Sequence, residues 1–333
     1  MNTKEKKKWS VVMATYNGER FIAMQLDSIL EQQEVPDEMV VVDDCSSDKT
    51  WEILMRYRTQ FEERKIQYYC VRNDANLGYK ENFKKAISFA SGDWILLCDQ
   101  DDIWTKDKIK EINKIVSLEK NVFVIDTAVE LIDSSGRKIC EDGGNNSGFL
   151  NEVLNDGELK KYKSEFFLHD KNISPGCTMA FNSNIRKIFL ESYSAQDLPH
   201  DYFINLIGAL YDGTFFYNKV LTLYRIHENN TIGIKYKKKG HKKILNSKER
   251  ANKVAGHYNE FEMLKNAVMR TGNRDFEFIK YMDYYSARKE YTENITLRNY
   301  KKMKQDKRTY CSYTSLKMRL LDFFMLFNCN FEI

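Results

Sequence analysis

The sequence predicts an α/β protein: a mostly parallel sheet flanked by helices, followed by a helical, basic C-terminal region. Three observations predict it. Short apolar runs alternate with amphipathic helical patterns through the first half of the chain, the rhythm of βαβ units around a parallel sheet. Val40, Val41 and Val42 are β-branched in succession, as expected of a strand covered on both faces. Polar clusters recur at the ends of the apolar runs, where open parallel sheets gather ligands.

The elements follow in order. Ser10–Ala14 reads as the first strand, too short for the apolar core of a secretion signal. A helical period over Arg20–Gln33 leads to a second strand at Met39–Asp43. Ser46-Ser47-Asp48 then offers N-cap side chains for a helix over Lys49–Phe61. Ile66–Arg72 is the third strand and Lys80–Ala90 the next helix. Trp94–Cys98 is the fourth strand, Lys106–Leu118 a further helix and Val122–Asp126 a fifth strand. Gly143–Gly148 is a loop, after which the pattern loosens. A second block over Ser174–Gly233 completes a catalytic-sized domain at 1–234, with halves at 1–128 and 129–234. Beyond it, 235–333 reads as helical and basic. No internal repeat is visible.

Composition narrows the classes. The chain has 333 residues and seven scattered cysteines, with no C-x-x-C pair and no zinc spacing. That suits a reducing compartment, the cytoplasm, better than a disulfide framework. Cys45, Cys70, Cys98 and Cys177 fall in or beside apolar runs and read as buried small hydrophobes. No apolar run reaches the 18 or so residues of a spanning helix. The net charge of +4 conceals an asymmetry. Lys235–Ile333 carries 23 Lys and Arg against 11 Asp and Glu, leaving 29 against 37 for the rest. A basic tail on an acidic body suits an anionic partner such as a membrane surface. A nucleic-acid partner is not expected: no reading motif is present and the acidic body would repel phosphate.

Three polar clusters lie at strand ends: Thr15-Tyr16-Asn17-Gly18, Asp43-Asp44-Cys45-Ser46-Ser47-Asp48 and Asp99-Gln100-Asp101-Asp102. The third sets carboxylates close together directly after the buried run Trp94–Cys98. Such acids repel unless a cation sits among them, and Mg²⁺ or Mn²⁺ would take the oxygen ligands. A solvated turn with a helix cap is the other reading. There is no P-loop and no G-x-G-x-x-G after the first strand. A diphosphate here would therefore be held by metal, not by a glycine cradle. A carboxylate after the second strand would accept the N3–H of uracil or thymine.

At this point the sequence resembles a family. Val41-Val42-Asp43-Asp44-Cys45-Ser46-Ser47-Asp48 is similar to the V-D-D-G-S-x-D segment of family 2 glycosyltransferases, which have the Rossmann-like GT-A fold. Ala14–Gly18 matches their opening strand and loop, and Asn73-Asp74-Ala75-Asn76-Leu77-Gly78 their N-x-x-N-x-G turn. Asp99-Gln100-Asp101 stands in the place of their D-x-D. Cys98–Trp104, His200-Asp201-Tyr202-Phe203 and Leu223–Asn230 resemble the bacterial rhamnosyltransferase branch. The likeness covers about 10–233. Cys45 departs from it, replacing the usual Gly; its turn either avoids positive φ or adopts it at some cost.

The resemblance implies an inverting, metal-dependent enzyme that uses a nucleoside-diphosphate sugar. The donor would be dTDP-L-rhamnose, with UDP-galactose, UDP-glucose or a UDP-N-acetylhexosamine as rivals. The acceptor would be a polysaccharide or lipid-linked glycan of a bacterial cell surface. Thr15, Tyr16, Asn17, Asp43, Asp44, Asn76, Gly78, Asp99 and Gln100 would surround the nucleotide, with Asp43 and Asp44 at the base. Asp101 and His227 would ligate the metal, Mn²⁺ or Mg²⁺. Asp201 would be the general base, with Asp102, His200 and Arg225 as supporting groups behind these.

Each role has a plainer counterpart. Asp44 or Asp102 could cap the following helix. His200 could compete as base or orient its neighbour, and His227 could be an ordinary packed histidine. Tyr16 could lie over the base or simply pack, and Trp104 could meet a sugar or fill the core. The basic tail, with the apolar end Leu316–Phe327, could hold the enzyme at the inner face of the cell membrane. It could equally pack on the catalytic domain or on a second copy as a homodimer. A non-catalytic membrane- or partner-binding module is the rival from another class.

Overall fold

The structure is a computed structural model. It describes residues 6–139, 154–169, 172–196, 198–228, 230, 262–273, 276–305, 310–311, 319–320, 322–323 and 326. The chain divides into two compact units, Met1–Ile234 and Lys235–Ile333. The Gly143–Gly148 loop, the Lys237–Lys239 run and most of Leu316–Phe327 lie outside the described residues.

In the first unit the strands are β1 (Trp9–Thr15), β2 (Glu38–Asp43), β3 (Gln67–Arg72), β4 (Trp94–Cys98), β5 (Ile103–Trp104), β6 (Val124–Ile132), β7 (Leu159–Tyr162), β8 (Ala180–Asn182) and β9 (Thr214–Arg225). Their order is β3-β2-β1-β4-β8-β6-β9-β5, with β7 also paired to β9. The β3-β2-β1-β4 half is parallel throughout. Short β8 enters antiparallel between β4 and β6, and β6 and β9 run parallel. The helices between the parallel strands are α1 (Ile22–Leu30), α2 (Thr50–Glu63), α3 (Tyr79–Phe89) and α4 (Lys108–Leu118). Later come α5 (Phe166–His169), α6 (Ser183–Ser192) and α7 (His200–Leu210).

β2 and β4 are buried along their whole length. The core they share with β1 draws on Met13, Ile22, Leu26, Val41, Leu54, Leu96, Ile109 and Ile112. Each helix adds an apolar stripe: on α1, Ile22, Leu26 and Ile29 recur at helical spacing and are fully buried, as an amphipathic helix on a sheet must be. β6 runs six residues past the expected Asp126 end, because the apolar run continues as Ala128, Val129, Leu131 and Ile132, all buried. The N-cap of α2 is Lys49, with no side-chain cap bond, not one of Ser46-Ser47-Asp48 as expected; Asp48, one residue earlier, accepts from the Thr50 amide and hydroxyl. Of the four cysteines expected to be buried, Cys98 and Cys177 are; Cys45 and Cys70 are half-buried.

The second unit contains α8 (262–270), α9 (Phe276–Glu293) and α10 (Leu297–Met303). Thr296 caps α10 by accepting from the Asn299 amide. An ion pair between Arg288 and Asp322 is buried at 3.2 Å, among Tyr284, Tyr291, Tyr300 and Tyr310. Among the described residues no helix is long and apolar enough to cross a membrane.

Candidate active site at the carboxyl ends of the strands

Register builds the first part of the site. Thr15 on β1 pairs with Asp43 on β2, and Asp43 pairs with Arg72 on β3. The Asp43 carboxylate is therefore flanked by donors. It accepts from the Thr15 hydroxyl at 3.1 Å, the Ser46 amide at 3.1 Å and the Ser46 hydroxyl, and Arg72 Nε lies 3.3 Å away. Asp43 is fully buried. Its oxygens are committed to the loop, so it shapes the pocket but does not face a base as expected. Arg72 closes the same loop through the Ser46 carbonyl.

Asp44 is also buried. It does not cap α2. Its Oδ1 accepts from Asn73 Nδ2 at 2.7 Å and the Leu77 amide at 2.8 Å, and its Oδ2 from the Gly78 amide at 2.9 Å. Three bonds to a carboxylate with about four acceptor positions leave one on Oδ2. Asn73 is steadied in turn by Asn82 and by Lys85 Nζ. Asn76 Oδ1 accepts from the Gly78 amide as well. Gly78 has φ of +81°, a backbone state that favours glycine. Cys45 has φ of +62°; the turn keeps the left-handed state that the family's glycine suits, without the glycine.

The three clusters are laced together. Gln100 Oε1 accepts from the Tyr16 amide at 2.9 Å, and its Nε2 donates to the Tyr16 carbonyl at 3.0 Å. A Cβ on Gly18 would stand 2.4 Å from Gln100 Oε1, so the clamp requires glycine there. The amide of Gln100 thus joins two loops, with one acceptor and one donor position left over. Asn17 Oδ1 accepts from the Ser47 amide and its own amide donates to Ser46 Oγ. The Tyr16 ring is 48% exposed and free to meet a ligand.

Beyond β4 the situation differs. Asp102 is buried and accepts from the Arg225 amide at 3.0 Å, while its Oδ2 finds no donor among the described residues. It is no helix cap. Burial and neighbouring Asp101 push its carboxyl up to about 7. Asp99 is held well above the usual carboxylate range by burial and by the charges of Asp102, Asp101 and Asp201. Asp101 Oδ2 meets His227 Nε2 at 2.8 Å, and the imidazole packs on Phe21 with centroids 4.8 Å apart. Arg225 is fully buried; its Nε donates to the Asp101 carbonyl at 2.7 Å and one terminal nitrogen to the Asp133 carbonyl at 3.1 Å. It therefore fixes both the backbone of Asp101 and the side chain of Asp102.

Two supporting groups escape the sequence reading. Lys108 is fully buried, donates to the Cys177 carbonyl and Thr222 Oγ1 at 2.8 Å each, and lies 4.0 Å from the centre of the Trp104 ring. Burial lowers its ammonium to about 8. Asp99, Asp102 and Cys177 bring ligand atoms within 4.8 Å of one another, and burial raises the Cys177 thiol well above its ordinary value. The signal for Lys108 is its place on the buried stripe Lys108–Ile112–Val116 of α4. Trp104 is 3% exposed, so it is core, not a sugar platform.

Asp201 opens α7. Its Oδ2 accepts from Asn172 Nδ2 at 2.8 Å and its Oδ1 from the Tyr202 amide at 2.9 Å. His200 is buried, stacked on Phe83 at 4.2 Å and edge-on to Tyr79. Burial lowers its basicity, and its ring is taken up by packing on Phe83 and Tyr79.

Comparison with known proteins places these features in context. Residues 10–189 match the family described as glycosyl transferase family 2. The dTDP-rhamnosyl transferase RfbG of Shigella flexneri is 31% identical over 250 residues, 68% of this chain and 78% of its own length. Poly(ribitol-phosphate) beta-N-acetylglucosaminyltransferase TarS of Staphylococcus aureus is 35% identical over 106 residues, 31% of this chain and only 18% of its own length. The crystal structure of S. aureus TarS 1–349 in complex with UDP superposes with a TM-score of 0.58 at 17% identity, covering 96% of this chain and 87% of that one. The mannosyltransferase PcManGT from Pyrobaculum calidifontis, in complex with GDP-Man and Mn²⁺, gives 0.54 at 15% identity, covering 96% and 79%. These two likenesses are of fold, and they make the sheet a GT-A sheet.

Proposed function

The chain belongs to glycosyl transferase family 2, and we propose that it moves a sugar from a pyrimidine nucleoside diphosphate to a hydroxyl of a polysaccharide or lipid-linked glycan, inverting the anomeric carbon. What supports this reading is the family match together with Asp201 near the start of α7, held by Asn172 and the Tyr202 amide, whose charge acts on Asp99 after β4. On this reading Asp201 would be the proton acceptor on the side of the departing diphosphate. L-rhamnose from dTDP-L-rhamnose is the donor this reading favours, on the likeness to RfbG.

The remaining acceptor position on Asp44 would take the N3–H of thymine or uracil, and Tyr16 would cover the base. Asp99 would face the donor ribose or the metal shell. A divalent ion, Mn²⁺ or Mg²⁺, fits the oxygen and imidazole atoms of Asp101 and His227, with the buried carboxyl of Asp102 next in the chain. Cys177, kept protonated by burial, is the wrong donor for a hard ion. When bound, the ion would neutralise charge on the departing diphosphate. Asp201 would take the proton of the acceptor hydroxyl as it attacks. No enzyme nucleophile is needed. For a lipid-linked acceptor, the basic balance of Lys235–Ile333 supports docking at an anionic membrane face.

The test is a panel of nucleotide sugars, with dTDP-L-rhamnose, UDP-galactose, UDP-glucose and UDP-N-acetylglucosamine assayed for diphosphate release with Mn²⁺ or Mg²⁺. Purine nucleotides should bind weakly. Asp201→Asn should lower turnover by about 10²–10⁴ with donor affinity nearly unchanged. Undiminished turnover in that variant would remove Asp201 from the reaction.

A further inference from the structure

Phe21, the residue before α1, is buried and gathers three side chains on one ring. The guanidinium carbons of Arg20 and Arg225 each lie 4.8 Å from its centroid, and the His227 ring packs on it with centroids also 4.8 Å apart. The two arginines differ in what they do with their donors. Arg225 is fully buried and directs them at the Asp101 and Asp133 carbonyls. The Arg20 side chain is 57% exposed and pairs with Glu228 at 3.9 Å, a carboxylate that is itself 80% exposed. So long and so wet a pair contributes little, and the guanidinium can change partners at small cost. Lys108, also close to the acids after β4, is fully buried and spent on Cys177 and Thr222.

The backbone brings Arg20 to this edge. Glu19 faces the start of α2: its amide donates to Asp48 at 3.0 Å and its carboxylate accepts from the Lys49 amide at 2.9 Å. Arg20, next in the chain, lies instead on Phe21 and reaches Glu228, the residue after His227. His227 in turn meets Asp101 at 2.8 Å. Arg20 therefore stands one ring away from the groups that would hold the metal.

We propose that Arg20 leaves Glu228 and pairs with the diphosphate of the sugar nucleotide, so that the donor is clamped between the metal acids and an exchangeable arginine. The inference rests on the reading of the acids after β4 as the diphosphate end of the donor site. A guanidinium offers a planar fork of N–H donors that matches two phosphate oxygens, and such charge-assisted pairs are about twice as strong as neutral ones. A diphosphate carries more charge than a single solvated carboxylate and so displaces Glu228. Phe21 steadies the guanidinium by its ring face in both states.

Calorimetric titration of the full chain with dTDP and with dTMP in Mg²⁺ tests this. Arg20→Ala should weaken dTDP binding about tenfold, and binding of dTMP, one phosphate shorter, by about twofold. Arg20→Lys, which keeps the charge but not the fork, should recover part of that loss. Glu228→Gln should act in the opposite direction, tightening dTDP by about two- to fourfold because Arg20 no longer has a competitor. That gain should shrink in the Arg20→Ala background. Unchanged dTDP affinity in Arg20→Ala, equal losses for dTDP and dTMP, or an undiminished Glu228→Gln gain without Arg20 would overturn the exchange and leave the donor site standing. A wild type that binds neither dTDP nor UDP would overturn the donor reading and this inference with it.

Discussion

The ends of β2 and β4 carry the same residue type at equivalent places in one sheet, yet they have opposite energetics. After β2, Asp43 and Asp44 are met by hydroxyls, amides and an arginine from β1, β3 and the turn before α3. Each buried charge is matched by donors, and such carboxylates hold a structure together. After β4, burial and the neighbouring carboxylates raise Asp99 and Asp102, and buried Lys108 and Arg225 offset only part of the charge. One end is a finished hydrogen-bonded corner. The other is left short of positive charge, as a site that receives a cation and a diphosphate should be.

The largest effect should come from the unfinished end. Asp101→Asn, or chelation by EDTA, should remove nearly all turnover while thermal unfolding stays cooperative; full activity in either case would erase the contrast. Next, the two ends should respond to neutralisation with opposite sign. Asp43→Ala strands several buried donors and should cost about 3 kcal/mol of stability. Asp99→Asn relieves like-charge repulsion and should raise the stability of the metal-free protein by about 1 kcal/mol at the expense of activity. Urea titration of both variants in EDTA reads this directly, and a destabilised Asp99→Asn would break the comparison.

A third buried carboxyl sharpens it. Burial pushes the Asp126 carboxyl up to about 8 in the folded chain, against about 3.9 when unfolded. Between those values the folded state binds more protons, so stability falls as pH rises from about 4 to about 8. Asp126→Asn should flatten that slope in a series of melting temperatures against pH. The smallest effect belongs to Cys45. Replacing it with glycine removes a side chain from a left-handed position and should gain about 1 kcal/mol, or nothing if the unfolded chain's added freedom offsets it. Denaturation midpoints with and without dTDP would locate the gain in the nucleotide corner.

Much of the parallel half is legible in the chain itself. α2, α3 and β1 to β4 lie within two residues of where apolar period and strand-end polarity put them, because those signals come from neighbours a few positions apart. The antiparallel β8, inserted between β4 and β6, is not legible: three residues carry no period. Nor are the roles of His200 and Trp104, since a histidine beside an aspartate looks the same whether buried or solvated; Lys108 shows only through its place on the apolar stripe of α4.

The motifs told which residue types would collect at the carboxyl edge. They did not tell how those residues divide the work. Gln100 clamps Tyr16 from 84 positions away, and Arg225 and His227 reach Asp101 from 124 and 126. Asn205 holds Asn172, which in turn holds Asp201 from 29 positions away. Periodicity and turn chemistry are local and survive in a string of letters. Whether a carboxylate ends up saturated with donors or left wanting a cation depends on strand register and on side chains that only packing brings within 3 Å.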